Sequence, residues 1–465
     1  MKHRLDARLA RAFAPESLFA VGGRVRDELR LAMGQTDRSP KDHDYVVLGV
    51  DLREAIRRLE TVGRVDVVGA SFSVLKFRSD DGDADIALPR RERSTGAGHR
   101  EFAIESGPAV PLVDDLRRRD FRMNMIGRRI SDDEIIDPYG GVADITAHRV
   151  DLVRPQAFEE DPLRMLRAAQ FAARFGYALS PATAMAMRAS ASLVTTVSPE
   201  RIGEELGKML TLAPRPSIGL ELLREHGVLA LVWPEILEGV GIVQNEWHAY
   251  DVYRHNLVTL DAVPPGDLIL RLAALLHDVG KPRTKDGPHF YRHEFVGAEM
   301  VPAMLERIRV PHQTIETVTH LVRQHMYSND PEAQPKALRR FVQRIGVEHL
   351  DRLFRLRAAD ITGSGLPKRD DANERFEARV AAIIAEEPAF SIRDLAVGGA
   401  EVIAALERRG LVEPGFRGDG RVGDVLRWLF EQVTDEPSRN QPDLLAALIE
   451  RYLNDDLMRA AAHPK

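Results

Sequence analysis

The chain has 465 residues, 44% of them hydrophobic and 29% charged, with no cysteine and a formal net charge of -6 at pH 7. That length supplies cores for two to four domains, and the acidic balance means that a nucleic-acid partner must be met by a local basic patch. Lack of cysteine excludes disulfides, thiolate metal sites and cysteine nucleophiles, and no stretch approaches the ~18 uninterrupted apolar residues of a membrane span.

The N-terminus MKHRLDARLARAFAPES has no apolar signal core and reads as the start of a cytoplasmic protein that does not enter a membrane. Phe19 to Leu48 follows as an apolar strand, a Gly22-Gly23 turn, an amphipathic helix through Val25, Leu29 and Leu31, and a second strand entered through Asp42-His43-Asp44. Residues i and i+2 of a strand point the same way, so Asp42 and Asp44 present two carboxylates side by side, a repulsion that a divalent cation relieves. The free N–H groups of a helix opened by glycines suit a phosphate. Metal and phosphate cradle together predict a nucleotide site.

Further strands are expected at Arg64 to Val68, Ser73 to Phe77 and Ala84 to Leu88, which makes residues 1–145 a small α+β domain. If the last of these lies beside the strand of Asp44, then Asp42, Asp44 and Asp85 form a cage for two magnesium ions. Arg91 to Pro111 is rich in Gly and Arg and lacks periodicity, so a mobile loop over the site is expected. Asp114 to Ile130 carries six arginines, and its spacing places Asp120 and Asn124, next to Arg119, on one helical face able to grip a ribose or triphosphate. The DPYGG turn at Asp137 to Gly141 closes the domain.

Residues 146–240 keep a helical period in segments separated by Pro, Ser or Gly, with no returning strand pattern, and read as a neck. Residues 241–370 bring His248, His255, His277-Asp278, His293, His325 and Asp360. LRLAALLHDVGKP is an apolar helix stopped by Gly280 and Pro282 with the His-Asp pair at its end. A buried His-Asp pair is costly unless paired or metal-bound, and ligands without sulfur suit a hydrolytic Mn, Mg, Ni, Fe or Zn site. Residues 371–465 open with a charged linker and end in helices. Gly415, Gly418, Gly420 and Gly423 predict a tight turn between two of them.

GGRVRD at 22–27, DHD at 42–44, DIALPRRER at 85–93, RRDFRMN at 118–124, DPYGG at 137–141 and EDPLRMLRAAQFAAR at 160–174 occur in an order that resembles class II tRNA nucleotidyltransferases and bacterial poly(A) polymerases, of the polymerase beta-like nucleotidyltransferase superfamily. One departure is Arg122, where that family more often has Thr, with Met125 in place of Ala. The resemblance implies a polymerase beta-like α+β head followed by a mostly all-α body, with catalysis on magnesium held by Asp42, Asp44 and Asp85. It implies nucleotide binding by Gly22, Gly23, Arg26, Arg119, Asp120, Asn124, Glu160, Asp161, Arg164 and Arg167. In such enzymes the Asp-Arg pair matching Asp161 and Arg164 reads the Watson–Crick edge of CTP or ATP, and the preceding Glu holds the Arg. By residue chemistry Asp161 and Pro162 also suit the N-cap and N1 of a helix, with Arg164 one turn on.

The His-Asp set resembles the HD phosphohydrolase superfamily, with YRHEFVGAE at 291–299 as its follow-on helix. That resemblance implies a divalent metal, Ni2+, Mn2+ or Mg2+, on His255, His277, Asp278 and Asp360. His293 and His325 would bind a second metal or the substrate phosphate, with His320 a competitor for the role of His325. Ser391 to Asn440 resembles the C-terminal RNA-binding helices of the tRNA enzymes. The expected function is addition of CMP and AMP to the 3′ end of tRNA from CTP and ATP, joined to a phosphatase, 2′-nucleotidase or 2′,3′-cyclic phosphodiesterase. The alternatives are a poly(A) polymerase, a partial CC- or A-adding enzyme, or an RNA-binding module in which only the hydrolase acts. The oligomeric state is not legible.

Overall fold

The computed structural model describes residues 4–40, 42–68, 74–94, 102–368, 370–386 and 389–462. It contains two compact units, Met1–Val240 with Pro264–Arg271 and Ala303–His312, and Gly241–Val263 with Leu272–Pro302 and Gln313–Lys465.

The first unit opens with α1 (Arg4–Leu9), β1 (Leu18–Val21), α2 (Gly23–Ala32), β2 (Asp44–Val47), α3 (Leu52–Leu59), β3 (Arg64–Val68), β4 (Val74–Ser79) and β5 (Gly82–Ala87). After β6 (Arg90–Ser94) and β7 (Phe102–Ser106) come α4 (Leu112–Arg117), a 3-10 turn at Arg122–Asn124, β8 (Gly127–Arg129), β9 (Ile135–Ile136) and α5 (Gly141–Thr146). Seven strands form one sheet in the order β3-β4-β5-β2-β1-β8-β9. Only β2 and β5 pair in parallel within it, and their register sets Asp44 opposite Asp85. The apolar run of β1 is buried throughout, as a strand flanked on both sides must be.

The five expected strands are present within two residues at each end, apart from Ser73, which lies outside the described residues. Three expectations fail in the head. The inward face of α2 carries Arg24, Val25, Arg26 and Arg30, while Leu31 is exposed. Arginine is tolerated there because Arg24 donates to both oxygens of Asp6 at 2.7 and 2.9 Å, and Arg30 lies 3.9 Å over the Phe175 ring. The expected loop at 91–111 contains most of a separate antiparallel ribbon, β6 with β7, and residues 95–101 lie outside the described residues. Its strand RRERS has no apolar alternation, so a pattern reading misses it. Asp114 to Ile130 is not one helix: α4 stops at Arg117 and the segment ends in β8.

The neck is helical, through α6 (Ala157–Glu160), α7 (Leu163–Phe175), α8 (Pro181–Ser190), α9 (Pro199–Leu212), α10 (Pro216–Glu225), α11 (Leu229–Val232) and α12 (Pro234–Leu237). A strand pair does return, against expectation: β10 (Arg149–Val150) runs parallel to β11 (Ala178–Leu179). Two residues each are too short to leave a periodic signal.

Further along run α13 (Val252–Ala262), α14 (Leu268–Leu276), β12 (Lys285–Asp286), β13 (His289–Phe290), α15 (His293–Glu306), α16 (His312–Gln324), α17 (Pro335–Ile345) and α18 (Val347–Gly363). The chain ends with α19 (Ala372–Glu386), α20 (Gly399–Arg408), α21 (Gly420–Asp435) and α22 (Pro442–Ala462). The expected charged linker after 370 is largely helix α19, whose Phe376 joins Tyr327, Phe341 and Phe354 in an aromatic core. Helices α20, α21 and α22 share a second apolar core through Val402, Leu406, Leu429 and Leu445. Gly415 and Gly418 take positive φ in the turn before α21, whereas Gly420 and Gly423 lie within that helix.

Two candidate active sites, one in each compact unit

The head site starts at Gly22, whose φ of 68° suits glycine. A Cβ there would lie 2.4 Å from Arg119 Nη1, so the missing side chain lets Arg119 lie across the turn that opens α2. Beside it, the parallel register brings Asp85 against Asp44, and the Asp85 N–H donates to His43 O at 3.0 Å. Lys76, opposite Asp85 on β4, approaches its Oδ2 at 2.7 Å. Burial, and then the charges of Asp42 and Asp85, push the Asp44 carboxyl above its usual value despite Arg119 and Lys76. Such a carboxylate group is short of positive charge, which is the donor set and electrostatics a magnesium ion fits.

A cleft of about 1150 Å³ runs from these carboxylates to the neck helices. Gly23, Arg26, Asp42, Asp44, Arg119, Asp120, Asn124, Asp161, Arg164 and Arg167 line it, whereas Gly22, Asp85 and Glu160 do not. Asp120 and Asn124 meet as expected, through Asn124 Nδ2 donating to Asp120 Oδ1 at 2.8 Å, but across a turn and not along an α-helix. Asn124 Oδ1 accepts from Arg26 at 2.7 Å, and Asp120 Oδ2 accepts from Arg167 Nε at 2.8 Å. Burial opposes the charge on Asp120, yet Arg167, Asn124 and the Phe121 N–H outweigh it and hold the carboxyl below its usual value.

Asp161 is not the N-cap of α7; Pro162 takes that place, although Asp161 Oδ1 still accepts from Leu163 N at 3.3 Å. Nor does it pair with Arg164. Both its oxygens accept from Arg201, at 2.9 and 3.1 Å. Arg164 donates to Arg118 O at 2.9 Å and to Ala157 O at 3.3 Å, with Glu160 3.5 Å away. Arg122 turns from the cleft, donating to Leu152 O at 3.0 Å.

Arg30, Arg174, Phe171, Phe175, Glu205, Lys208 and Arg215 also line the cleft and were not anticipated. Arg164, Arg167, Phe171 and Arg174 recur on one face of α7, a helical period already visible in EDPLRMLRAAQFAARF. With these residues nine cations face seven carboxylates around the cleft, a local excess of positive charge on an acidic chain.

The second site gathers six buried or half-buried side chains from five helices and their ends. His255 lies on α13, His277 and Asp278 directly follow α14, His293 opens α15, His325 follows α16 and Asp360 lies on α18. Close helix approach makes this possible: a Cβ on Gly363 would lie 1.9 Å from Thr259 Oγ1, and one on Gly280 would lie 2.3 Å from His293 O. His255 Nε2 stands 3.0 Å from His277 Nε2, 3.3 Å from Asp278 Oδ2 and 3.1 Å from Asp360 Oδ1. The other oxygen of Asp278 faces His293 Nε2 at 3.1 Å and His325 Nε2 at 3.6 Å. Asp278 thus has one oxygen toward each half of the cluster. Lys281 Nζ approaches its Oδ2 at 2.6 Å, a neighbour that the sequence reading did not assign.

The rings are oriented for a metal. Nδ1 of His277, His293 and His325 each contacts a backbone carbonyl, of Ala274, Phe290 and Val322, at 2.7 to 2.9 Å. A carbonyl only accepts, so Nδ1 carries the hydrogen and Nε2 of the neutral ring keeps a lone pair. The Nε2 atoms of His293 and His325 then face each other at 3.2 Å with no proton to share. Ligands ~2.1 Å from one ion would be about 3.0 to 3.4 Å apart, matching these separations. Burial alone would depress the His277 imidazole, but Asp278 and Asp360 override it and lift its pKa to about 10. The two carboxylates thus favour positive charge in this pocket, a charge that a divalent cation bound by neutral rings would supply. His320, the competitor, is elsewhere, its Nε2 against Ile345 O at 2.8 Å.

A family model of the poly A polymerase head domain matches residues 18–151, one of the probable RNA and SrmB-binding site of polymerase A matches 176–239, and one of the HD domain matches 260–361. The multifunctional CCA protein of Xanthomonas campestris pv. campestris is 36% identical over 321 residues, 66% of this chain and 75% of its own length. That of Cupriavidus metallidurans is 35% identical over 342 residues, 70% of this chain and 79% of its own. The chain belongs to the multifunctional CCA protein family. Its fold is shared by the Bacillus stearothermophilus CCA-adding enzyme in complex with CTP, at TM-score 0.66 and 22% identity over 94% of both chains. The Thermotoga maritima CCA-adding enzyme complexed with tRNA aligns at TM-score 0.51 and 17% identity over 94% of this chain and 91% of that one. As a multifunctional CCA protein the chain combines a nucleotidyltransferase head with an HD domain, and both use divalent metal. No helix among the described residues is long and apolar enough to cross a membrane.

Proposed function

We propose that this protein builds the CCA end of tRNA from CTP and ATP and hydrolyses phosphoesters at its His–Asp centre. The observation that carries the first part is the Asp44–Asp85 register beside a cleft that also holds Asp161 and Arg164. In each addition a bond forms between the RNA 3′ oxygen and the α-phosphorus of the nucleotide. The α-phosphorus to bridging-oxygen bond breaks, and pyrophosphate leaves. Magnesium held by Asp42, Asp44 and Asp85 supplies activation of the hydroxyl and neutralisation of the triphosphate.

The chain's own groups do the rest. The N–H of Gly23 at the start of α2 and the guanidinium of Arg119 meet phosphate oxygens, while the Gly22 N–H, donated to Ile126 O at 3.2 Å, holds the turn in place. Arg26, Asn124, Asp120 and Arg167 form one hydrogen-bonded line that fixes the ribose side of the cleft. Arg164, pinned by two carbonyls and Glu160, presents an edge to a ring nitrogen or carbonyl oxygen, and Asp161 exchanges Arg201 for an amino group of the base. Cytosine and adenine each present that amino group, so one Asp-Arg pair serves both nucleotides.

At the His–Asp centre, His255, His277, Asp278 and Asp360 would hold Ni2+, Mn2+ or Mg2+, and His293 and His325 with Oδ1 of Asp278 would hold a second ion or the substrate phosphate. Divalent metal there supplies a nucleophile from water at neutral pH. Lys281 offsets the charge of Asp278 and faces an incoming phosphate. The substrates are phosphomonoesters, 2′-nucleotides and 2′,3′-cyclic phosphates, the forms of damaged RNA ends. The division of labour is a head at 1–145, a base-selecting neck at 146–240, an HD domain at 241–370 and RNA-binding helices at 371–465, in a cytoplasmic enzyme.

The test uses tRNA lacking its CCA end with labelled CTP and ATP, singly and together. Ordered addition of two C and one A is expected; a long A tract or no incorporation overturns the proposal. Asp42→Ala with Asp44→Ala abolishes incorporation and spares hydrolysis, and His277→Ala does the reverse.

A further inference from the structure

We propose that His248 is an additional metal ligand of the His–Asp centre, on its His255–Asp360 side, an inference that rests on the hydrolase reading above. Three overlapping triads can each hold an ion, with ligand atoms within 4.8 Å of one another: His248, His255 and Asp360; His255, His277 and Asp278; Asp278, His293 and His325. The second and third comprise the residues already named. The first extends the centre by one imidazole, whose ring meets that of His255 edge to face at 4.8 Å between centroids.

His248 is oriented in the same way as the other ligands. Its Nδ1 lies 3.0 Å from Asn245 Oδ1, and that oxygen also accepts from the Trp247 N–H at 3.2 Å, which fixes the amide with its oxygen toward the ring. Nδ1 is therefore the donor, and Nε2 keeps the lone pair.

The loop that carries His248 is built into the centre. Its ends are joined by Val252 N to Ile242 O at 3.1 Å and Gly241 N to Asp251 Oδ2 at 2.7 Å. Ala249 N donates at 2.8 Å to Ser364 O, four residues beyond Asp360, and Gly365 has φ of 72° where a Cβ would lie 2.4 Å from the Tyr250 ring. On the opposite side Gln244 Oε1 accepts from Lys281 Nζ at 2.7 Å, the same ammonium that lies against Asp278. The loop is thus tied to the chain just beyond Asp360 and to the ammonium that lies against Asp278. A further imidazole makes the donor set softer, which favours transition ions over magnesium.

The test is cobalt binding to the full-length protein carrying Asp42→Asn, Asp44→Asn and Asp85→Asn, so that the three head carboxylates contribute nothing. In that background His248→Ala lowers Co2+ affinity at least about tenfold, the scale on which loss of even an outer-shell partner is felt, and changes the visible absorption of the bound ion. His248→Gln, which preserves bulk and polarity, gives the same loss if the alanine variant fails to fold. Affinity and spectrum unchanged in the folded variant overturn the proposal. His277→Ala is the control on the underlying reading: if it too leaves cobalt binding intact, the metal-centre assignment itself is wrong.

Discussion

In the head, both oxygens of Asp6 accept from Arg24 Nη2, at 2.7 and 2.9 Å, and Asp6 also accepts from the Tyr45 hydroxyl at 2.5 Å and from Arg128 Nη2 at 3.1 Å. Tyr45 follows Asp44 and Arg24 follows Gly23, so one carboxylate steadies the neighbours of both halves of the nucleotide site. Burial disfavours its charge, but Arg24, Tyr45 and Arg128 outweigh that and hold its pKa below the usual value. A depressed carboxyl contributes stability above the unfolded pKa and loses it as pH falls through the folded one. Asp6→Asn is therefore expected to cost about 3 kcal/mol at pH 7, the scale of a broken buried pair. The difference from the parent should shrink below pH 4, where Asp6 begins to protonate in the unfolded chain. Urea unfolding at pH 7 and pH 3 checks it.

At the scale of elements, α13 and α18 must lie close for His255 and Asp360 to meet, and Gly363 permits that where Thr259 fills the space a Cβ would need. Gly363→Ala overpacks this contact, with an expected cost of about 1–3 kcal/mol. It should weaken metal retention and hydrolysis of a 2′,3′-cyclic nucleotide while leaving CCA addition near the parent rate, measured on one preparation. Elements also mark where pattern reading stops. The strands β1, β2 and β5 were legible because their apolar runs face a core, whereas β6 and β7 pair through backbone groups that leave no trace in RRERS. The arginines of α2 were misread for the opposite reason. Helical periodicity sorts apolar from polar, and here the buried face is polar, satisfied by Asp6 and Asn124 and by the Phe175 ring.

At the scale of the molecule, the two proposed metal centres fall in different units: the carboxylates Asp42, Asp44 and Asp85 in the first, and the imidazole-rich groups able to hold an ion in the second. Oxygen ligands suit magnesium, and imidazole suits transition ions such as Ni2+. After chelation and dialysis, Mg2+ alone is expected to restore nucleotide addition, while hydrolysis recovers further with Ni2+ than with Mg2+; equal recovery of hydrolysis with either ion would contradict a preference set by the imidazoles. The sequence by itself determined the two chemistries, because paired aspartates in a strand, a glycine turn before a helix and an adjacent His-Asp pair are local arrangements carried by neighbouring residues. Tertiary structure alone decided the rest. Whether Asp85 stands opposite Asp44, which oxygen of Asp278 faces which histidines, that Asp161 engages Arg201 and not Arg164, and that His248 reaches the centre are distances between chain-distant atoms. Those distances follow from strand register and from glycines that let helices approach, and neither leaves a periodic mark in the residues they bring together.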